Sequence, residues 1–389
     1  VQPGLVAYPT CTEETSAVLR RAAERDLSVL ACGRRSKLTW GAPPERADLL
    51  VDTSGMNRVG MHAAGDLVVT AQAGVRLDVL QEQAGSAGQQ LALDETVPGS
   101  TLGGVIATSP SGPRRVARGT VRDLLIGITV VRADGVVAKS GGKVVKNVAG
   151  YDLGKLVIGS YGTLAVVTEA TFRLHPRPAA SRWVQAPVRD EETAARLAAS
   201  VIHSQVVPAA VEVDWPADGP GTVGVLVEGT TTGVEARTST VRGLLGPAAE
   251  TVVDPRPWES AYPWAPGDGA VALKLTCRIS TAGEVLAAAR AAARAHAVPV
   301  AVRGSMGAGV LYAALPAATP PHALAGVLAQ LRTTCADRRG SVVVLDAPSE
   351  SKRAVDVWGP VHGLALMRRV KAEFDPDRRL APGRFVGGI

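Results

Sequence analysis

The sequence predicts an α+β protein with two domains, 1–178 and 179–355, followed by a C-terminal segment, 356–389. Its 389 residues allow two or three domains, because domains average about 150 residues. Past Pro176 and Pro178, short apolar runs separated by Gly- and Pro-rich turns give way to alternating strand and helix patterns, which marks a boundary. Beyond it, two successive β-α-β-β-α patterns predict an antiparallel sheet backed by helices.

In the first domain, short apolar runs rich in Val, Leu and Thr alternate with Gly- and Pro-rich turns. These runs predict strands at 49–52, 67–72, 125–131 and 164–174. Apolar residues at helical spacing predict helices at 12–25 and 77–88. Thr12 is the predicted N-cap of the first helix, since two glutamates follow it and suit the first turn. Asp134–Gly135 lies between two apolar runs and predicts a hairpin.

The second domain shows the same kinds of pattern twice. Its predicted strands lie at 182–188, 209–214, 222–228, 270–277, 298–303, 309–315 and 342–345. Its predicted helices lie at 191–204, 233–245, 281–296 and 321–338. One more helix and a Pro/Gly-rich tail are predicted in the C-terminal segment.

Composition excludes several classes of protein. The net charge of +6 is small for this length, no run of five basic residues occurs, and aromatic residues make up only 4%, so a nucleic-acid surface is not predicted. No run of 18 apolar residues predicts a membrane span, and Val1–Tyr8 has no secretory-signal pattern. The four cysteines are widely separated, so they predict no zinc site and fit a reducing cytoplasm.

Two Gly- and Ser-containing loops in the first domain are candidates for binding an anion. The first, 32–41 (CGRRSKLTWG), follows an apolar run and can present backbone N–H groups to a phosphate; an ordinary basic turn is the alternative. The second, 98–108 (PGSTLGGVIAT), is rich in small residues that permit close approach of backbone to an anion. It lacks both the P-loop and the Rossmann glycine patterns, so a nucleotide site here requires another fold.

A third glycine-rich stretch, 141–153 (GGKVVKNVAGYDL), continues through 159–164 (GSYGTL) into a strand. Together with 112–115 (GPRR), 119–123 (GTVRD) and the C-terminal 367–384 (MRRVKAEFDPDRRLAPGR), these motifs resemble the vanillyl-alcohol-oxidase and p-cresol-methylhydroxylase (PCMH) superfamily of FAD-linked oxidases. The resemblance is closest to the FAD-binding subunit of bacterial glycolate oxidase (glycolate dehydrogenase) complexes. It covers about residues 5–178 and 356–386, and it is loose between them.

The resemblance implies a two-subdomain PCMH-type FAD-binding domain over 1–178, a second α+β domain like the C-terminal domain of FAD-linked oxidases, and a segment 356–389 that returns to the FAD domain. It implies FAD lying between the two subdomains, with its diphosphate held by the first two loops. The implied cofactor-binding residues are Gly33, Arg34, Arg35, Ser36, Lys37, Leu38, Pro98, Gly99, Ser100, Thr101, Gly103, Gly104, Ala107, Gly150, Tyr151, Gly162, Val166 and Val167. Tyr151 has a second interpretation, as a core aromatic residue.

One departure from the family concerns the first loop. Arg34 and Arg35 stand where relatives have small residues, which costs about 1 kcal/mol if a left-handed backbone is required. The two arginines could meet phosphate, or the loop could bind FAD weakly. This loop has no histidine that could link flavin covalently, and non-covalent FAD is therefore expected, with Cys32 a weak alternative.

A second departure concerns catalysis. Relatives that oxidise D-2-hydroxy acids carry a His-x-Gly-Asp-Gly-Asn-x-His run that supplies metal ligands, and the matching stretch here is 305–312 (SMGAGVLY). Ala308 and Val310 cannot bind a metal or a carboxylate, so no metal site is predicted. His362 and Gly363 resemble a Glu-His-Gly motif of the catalytic relatives, but Val361 stands in place of its glutamate. No catalytic residue is assigned.

Three functions follow as hypotheses. The first is an FAD-carrying subunit of a D-2-hydroxy-acid (glycolate or D-lactate) dehydrogenase, which passes electrons toward an iron–sulfur subunit and has a homologous catalytic flavoprotein partner. The second is a free-standing, metal-independent FAD alcohol oxidoreductase. The third is a structural subunit with a degenerate flavin site. The first implies a cytoplasmic protein that reaches the inner membrane only peripherally, through its partners.

Overall fold

A computed structural model describes residues 3–142, 152–265 and 267–389. The strands, numbered in chain order, are β1 (Leu5–Ala7), β2 (Val29–Cys32), β3 (Leu49–Asp52), β4 (Val59–Ala63), β5 (Val68–Gln72), β6 (Gln89–Gln90), β7 (Leu125–Val131), β8 (Val137–Gly141), β9 (Val166–Arg173), β10 (His175–Pro176), β11 (Ala180–Val188), β12 (Ala210–Trp215), β13 (Gly221–Gly229), β14 (Glu250–Thr251), β15 (Val271–Thr276), β16 (Ala301–Ser305), β17 (Val310–Leu315) and β18 (Ser341–Asp346). The α-helices are α1 (Thr12–Glu24), α2 (Leu77–Ser86), α3 (Leu102–Thr108), α4 (Arg115–Arg118), α5 (Val121–Leu124), α6 (Gly154–Val157), α7 (Glu191–Ile202), α8 (Thr231–Leu245), α9 (Arg256–Glu259), α10 (Ala282–Ala295), α11 (Pro321–Asp337), α12 (Ser349–Ala354) and α13 (Leu364–Phe374).

The chain folds into two compact units. Unit 1 comprises Val1–Pro110, Thr120–Arg177 and Val361–Ile389, and unit 2 comprises Ser111–Gly119 and Pro178–Pro360. The short insertion Ser111–Gly119 belongs to unit 2 because Arg114 and Arg118 both form salt bridges with the buried carboxylate of Glu228, at 3.0 and 3.2 Å.

Unit 1 contains a parallel three-stranded sheet, in the order β1-β3-β2, and an antiparallel five-stranded sheet, in the order β4-β5-β9-β7-β8. Fully buried apolar side chains of α2, α3 and β9, among them Leu80, Ile106 and Phe172, belong to one core cluster. Burial of such side chains contributes about 1.5–3 kcal/mol each. The predicted hairpin is confirmed between β7 and β8.

The predicted N-cap of α1 is wrong by one residue. Cys11 has the extended backbone of an N-cap, and its Sγ accepts a hydrogen bond from the backbone N–H of Glu14 at 3.4 Å. Thr12 is the first helical residue, and its hydroxyl donates instead to the hydroxyl of Thr168 in β9, at 2.9 Å. A hydroxyl that has a partner on the sheet is not available to cap the helix.

After unit 2 the chain returns to unit 1 and extends the parallel sheet. Leu380 lies parallel to Val29 of β2, with hydrogen bonds from Val29 N–H to the Arg379 carbonyl at 2.7 Å and from Ala381 N–H to the Val29 carbonyl at 2.8 Å. Residues 379–381 therefore cover the edge of β2, directly before the loop that begins at Gly33.

Unit 2 is built on an eight-stranded antiparallel sheet in the order β14-β11-β13-β12-β16-β17-β15-β18. The two predicted β-α-β-β-α repeats are both present, as β11-α7-β12-β13-α8 and β15-α10-β16-β17-α11. They meet where β12 pairs with β16. The α+β class and the antiparallel sheet are thus confirmed. No helix in the described ranges is long and apolar enough to cross a membrane.

Candidate cofactor site

Unit 1 encloses a cavity next to the carboxyl end of β2. The space between its walls is about 710 Å³, including space open to solvent. The walls come from the loop after β2, from α3 and its surroundings, from the stretch leading into β9, and from the returning C-terminal segment. The lining residues are Ala31, Cys32, Gly33, Arg34, Arg35, Ser36, Lys37, Leu38, Thr53, Thr101, Gly103, Gly104, Ala107, Thr108, Val157, Tyr161, Gly162, Ala165, Val166, Val167 and Arg384.

The loop after β2 offers backbone donors to this cavity. Two turns close its second half, with Leu38 N–H donating to the Arg35 carbonyl and Trp40 N–H to the Lys37 carbonyl, both at 3.2 Å. The N–H groups of residues 34–37 donate to no protein group in the described part of the chain. Consecutive unpartnered N–H groups in a turn form an arrangement that binds anions.

The two arginines of this loop adopt different environments. Arg35 has a left-handed backbone (φ +61°), and its guanidinium lies 3.3 Å from the buried carboxylate of Asp52. This ion pair at the end of β3 holds the arginine side chain of a residue whose backbone would ordinarily favour glycine. Arg34 lines the cavity.

Lys37 is the only lysine among the described residues that line the cavity, and only 4% of it is exposed. Its Nζ donates to the hydroxyl of Ser100 at 2.5 Å and to that of Ser36 at 3.3 Å. The Ser100 hydroxyl donates in turn to the Val97 carbonyl at 2.6 Å, so its lone pairs face the ammonium. Burial lowers the pKa of Lys37 to about 8, and the charge of Glu95 opposes this only in part. No carboxylate of the described residues lies within 4.0 Å of Nζ, so this buried ammonium lacks a close counter-ion.

The second loop contributes less to anion binding than its glycines suggest. The N–H groups of Leu102 and Gly103 donate to the carbonyls of Val75 and Ala73, at 2.9 and 2.8 Å. The N–H of Gly104 donates to the hydroxyl of Thr101. These three donors are already used by the protein and are not available to a ligand.

Thirteen of the eighteen residues predicted to bind the cofactor line the cavity, and one more lies directly behind it. The cavity brings together Gly33, Arg34, Arg35, Ser36, Lys37, Leu38, Thr101, Gly103, Gly104, Ala107, Gly162, Val166 and Val167. Ser100 lies behind this surface as the acceptor for Lys37. Pro98 and Gly99 do not line the cavity, and Gly150 and Tyr151 lie outside the described residues.

Eight lining residues were not predicted to bind the cofactor: Ala31, Cys32, Thr53, Thr108, Val157, Tyr161, Ala165 and Arg384. Burial, assisted by the charge of Asp52, raises the pKa of the Cys32 thiol to about 11. The thiol therefore stays protonated at neutral pH and is a poor nucleophile. Burial also raises the pKa of Tyr161, so that its hydroxyl stays neutral.

In unit 2, the stretch 305–312 has become ordinary sheet structure. Ser305 ends β16, Val310 begins β17, and Gly309 allows the connecting turn with φ +64°. The Tyr312 hydroxyl donates to the Ser111 carbonyl at 2.9 Å. Across the described ranges, no three His, Cys, Asp or Glu side chains come together in a way that could hold a metal ion.

A cationic pair lies beside this tyrosine. Lys274 is the cross-strand neighbour of Tyr312, and burial together with the charge of Arg115 lowers the pKa of Lys274 to about 8. Arg115 donates to the Ser111 hydroxyl at 3.2 Å. Neither cation forms an ion pair with a described carboxylate.

Comparison with known proteins identifies the chemistry of the first unit. A family model described as the FAD binding domain matches residues 3–141, and a model described as the C-terminal domain of FAD linked oxidases matches residues 358–385. The chain therefore contains a segment similar to FAD binding domains and a segment similar to the C-terminal domain of FAD linked oxidases. FAD is therefore its cofactor, and the predicted PCMH-type resemblance is confirmed.

Relatives of this chain include glycolate oxidase subunit GlcD of Bacillus subtilis, which is 32% identical over 55% of this chain and 46% of its own length. D-lactate dehydrogenase of Archaeoglobus fulgidus is 36% identical over 44% of this chain and 39% of its own length. Glycolate oxidase subunit GlcE of Escherichia coli is 39% identical over 34% of this chain and 39% of its own length. The match thus spans less than half of each of these curated relatives.

The fold of this chain is similar to that of a solved alkyldihydroxyacetonephosphate synthase, with a TM-score of 0.71 at 16% sequence identity. The alignment covers 98% of this chain and 77% of that structure. Fold similarity at this identity confirms the predicted architecture and says nothing further about the reaction.

The cavity of unit 1 fits the diphosphate of FAD. A diphosphate brings about two negative charges, and the loop offers both unpartnered N–H groups and a buried ammonium without a close counter-ion. The packing is also tight, because a Cβ added to Gly33 would lie 2.3 Å from the Thr101 Oγ1. The donor set and the close approach of the two loops therefore suit this cofactor.

FAD affinity is expected to fall as pH rises above about 8. In the cofactor-free protein Lys37 is charged below a pKa of about 8 and neutral above it, whereas the bound diphosphate favours the charged form. Binding therefore takes up a proton above pH 8, which weakens affinity by up to about tenfold per pH unit. The folded cofactor-free state binds fewer protons than the unfolded chain between pH 8 and 10.5, so over that window Lys37 makes the free energy of unfolding rise with pH. Fluorescence titration of FAD from pH 6.5 to 9.5 checks the first effect, and a flat profile would contradict it.

Replacing Gly33 with alanine is expected to release FAD. The added Cβ would overlap the hydroxyl and methyl of Thr101, at 2.3 and 2.9 Å, and Thr101 is buried and caps α3. The two loops must move apart, which disturbs both the cavity and the helix cap. We expect at least tenfold weaker FAD binding and a melting temperature several degrees lower, of the order of an overpacked site (about 1–3 kcal/mol). The Gly65→Ala variant, where a Cβ meets nothing within 4 Å, is the matched control.

Proposed function

We propose that this chain is the non-covalent FAD-binding flavoprotein subunit of a D-2-hydroxy-acid dehydrogenase of the glycolate or D-lactate type. The observation that carries the FAD site is the buried, unpaired ammonium of Lys37 beside the N–H groups of residues 34–37. The chemistry that FAD supplies when bound is two-electron oxidation of a C–H bond next to oxygen. The substrate class follows the names of the relatives, which include glycolate oxidase subunits and D-lactate dehydrogenases.

The residues of the cavity have distinct proposed roles. The loop N–H groups of 34–37 and the ammonium of Lys37 hold the diphosphate, and Ser36 and Ser100 fix the direction of that ammonium. Val166 and Val167 form an apolar wall at the start of β9. Cys32 remains a protonated thiol, which supports non-covalent binding. The ion pair of Arg35 with Asp52 counts against a loop degraded by its arginines.

The proposal of a subunit, rather than a complete enzyme, rests on unit 2. Ala308 and Val310 stand where catalytic relatives carry metal and carboxylate ligands, and the stretch is closed by a tight turn. Two relatives are named as subunits of glycolate oxidase. We therefore propose a homologous catalytic FAD subunit and an iron–sulfur subunit as partners, in the cytoplasm and at most peripheral to the inner membrane.

A second candidate function is favoured by Lys274 and Arg115. Two cations next to a tyrosine, with no ion pair to a described carboxylate, are suited to a substrate carboxylate. The alternative is thus a free-standing, metal-independent FAD oxidoreductase that binds its own acidic alcohol in unit 2.

One experiment separates these functions. The purified chain is reconstituted with FAD and its flavin absorbance is recorded anaerobically, with and without glycolate, D-lactate or D-2-hydroxyglutarate. Stoichiometric flavin without bleaching, together with copurification of an iron–sulfur protein, supports the subunit. Bleaching by the isolated chain that is lost in Lys274→Met supports the free-standing enzyme. Absence of flavin after reconstitution would exclude both and leave a structural subunit.

A further inference from the structure

We propose that Arg384 is a positioning residue for the cofactor, which shapes the diphosphate loop through the loop's own carbonyl groups. The inference rests on the proposed FAD site and adds a residue outside the FAD-binding motifs of the first domain. Arg384 comes from the C-terminal segment, 347 residues after Lys37, and lines the same cavity.

The contacts of Arg384 converge on the second half of the loop. Its Nη2 donates to the carbonyls of Lys37, Leu38 and Trp40, at 3.3, 2.9 and 3.4 Å. One guanidinium nitrogen thus contacts three carbonyl groups of the same loop. The contacted segment is the part of the loop that contains the two closing turns, from Arg35 to Leu38 and from Lys37 to Trp40.

The held carbonyls are linked to one of the loop donors, the Ser36 N–H. Peptide units are planar, so the direction of each carbonyl determines the direction of the N–H that follows it. The Lys37 carbonyl thus orients the Leu38 N–H, which donates to the Arg35 carbonyl, and the Arg35 carbonyl shares its peptide unit with the Ser36 N–H. The Ser36 N–H is one of the donors without a partner in the described part of the protein. We infer that Arg384 acts on the cofactor through this pre-organisation.

Arg384 is itself held firmly. Its carbonyl accepts from Ala42 N–H at 3.2 Å, and the neighbouring Pro382 carbonyl accepts from Glu45 N–H at 2.8 Å. Its guanidinium carbon lies 6.0 Å from the centre of the Tyr161 ring, and the residue is only 5% exposed. Burial lowers its pKa, which is the expected cost of placing a cation here. All three carbonyl contacts come from Nη2 at the end of the guanidinium, a position that the ammonium of the shorter lysine side chain does not reach.

The test compares Arg384→Lys, Arg384→Ala and the matched pair Arg369→Lys and Arg369→Ala, since Arg369 is exposed on α13 of the same segment. Each full-length variant is prepared without cofactor, and its FAD dissociation constant and melting temperature are measured. We expect at least tenfold weaker binding for both Arg384 variants and unchanged binding for both Arg369 variants. Ethylguanidinium at millimolar concentration should restore FAD binding to Arg384→Ala and leave Arg369→Ala unaffected.

Several outcomes would overturn the inference. Normal binding by Arg384→Lys would mean that charge alone suffices. Weak binding without rescue by ethylguanidinium, accompanied by a drop in melting temperature, would assign Arg384 to general stability. Should Arg384→Ala fail to fold, Arg384→Lys alone decides by the same binding criterion. Failure of the wild-type protein to bind FAD would refute the proposed function itself, which distinguishes the two failures.

Discussion

Replacing Lys37 with methionine is expected to weaken FAD binding by about 10- to 100-fold and, at the same time, to stabilise the cofactor-free protein. The loss of affinity follows from removing a charged donor worth about 1.5–3 kcal/mol to the diphosphate. The gain in stability follows because the ammonium is buried without a close carboxylate, and methionine fills similar space without that desolvation cost. FAD titration and thermal melting of the cofactor-free protein measure the two effects.

The opposite signs of these effects are what make the prediction specific. The exposed Lys139→Met variant, in the same unit, should change neither quantity. The Lys37→Met variant should also lose the decline of FAD affinity above pH 8, since it removes the one group with a pKa of about 8 among the described residues that line the cavity. A variant that lowered both FAD affinity and melting temperature would indicate that Lys37 serves the fold and not the cofactor.

Replacing Asp375 with alanine is expected to cost about 3–5 kcal/mol of unfolding free energy, because it leaves a buried lysine without its partner. Asp375 is fully buried and accepts from Lys371 Nζ at 2.6 Å and from the N–H groups of Arg379 and Leu380 at 2.9 and 2.7 Å. Lys371 donates in addition to the Thr163 carbonyl at 2.7 Å, next to a cavity residue. Urea unfolding of the cofactor-free protein measures the loss.

The exposed ion pair of Arg21 and Glu24 provides the matched comparison. Its Glu24→Ala variant should cost no more than about 1 kcal/mol, because both side chains are solvated. The double variant Lys371→Met/Asp375→Leu should recover part of the loss by removing both buried charges. If Asp375→Ala unfolded at the wild-type urea concentration, the buried pair would not stabilise the return of the C-terminal segment.

Most secondary structure of the fold could be predicted, because its signals are local. Strand β3 and the hairpin between β7 and β8 follow from apolar runs and from an Asp-Gly turn, both of which act over a few residues. The N-cap of α1 could not be predicted. The hydroxyl of Thr12 is drawn away by Thr168, which lies 156 residues later in the chain.

The candidate site could also be predicted where its signals are local. Gly33 and Lys37 stand in a loop whose composition indicates phosphate binding. The composition of the second loop predicted N–H donors for an anion, but the N–H groups of Leu102 and Gly103 donate to carbonyls of the segment before α2. Arg384 could not be assigned from local pattern, because its partners lie at the other end of the chain.

The contacts of Arg384 with the loop after β2 also have a consequence for biosynthesis. Lys37 and Arg384 are separated by 347 residues, so at about 5–20 residues per second a ribosome adds the guanidinium roughly 20–70 s after the loop. All of unit 2 is translated in that interval. On the proposed role of Arg384, the pocket of the first unit is completed only after the C-terminal segment has been translated, and full affinity for flavin is expected only from then on.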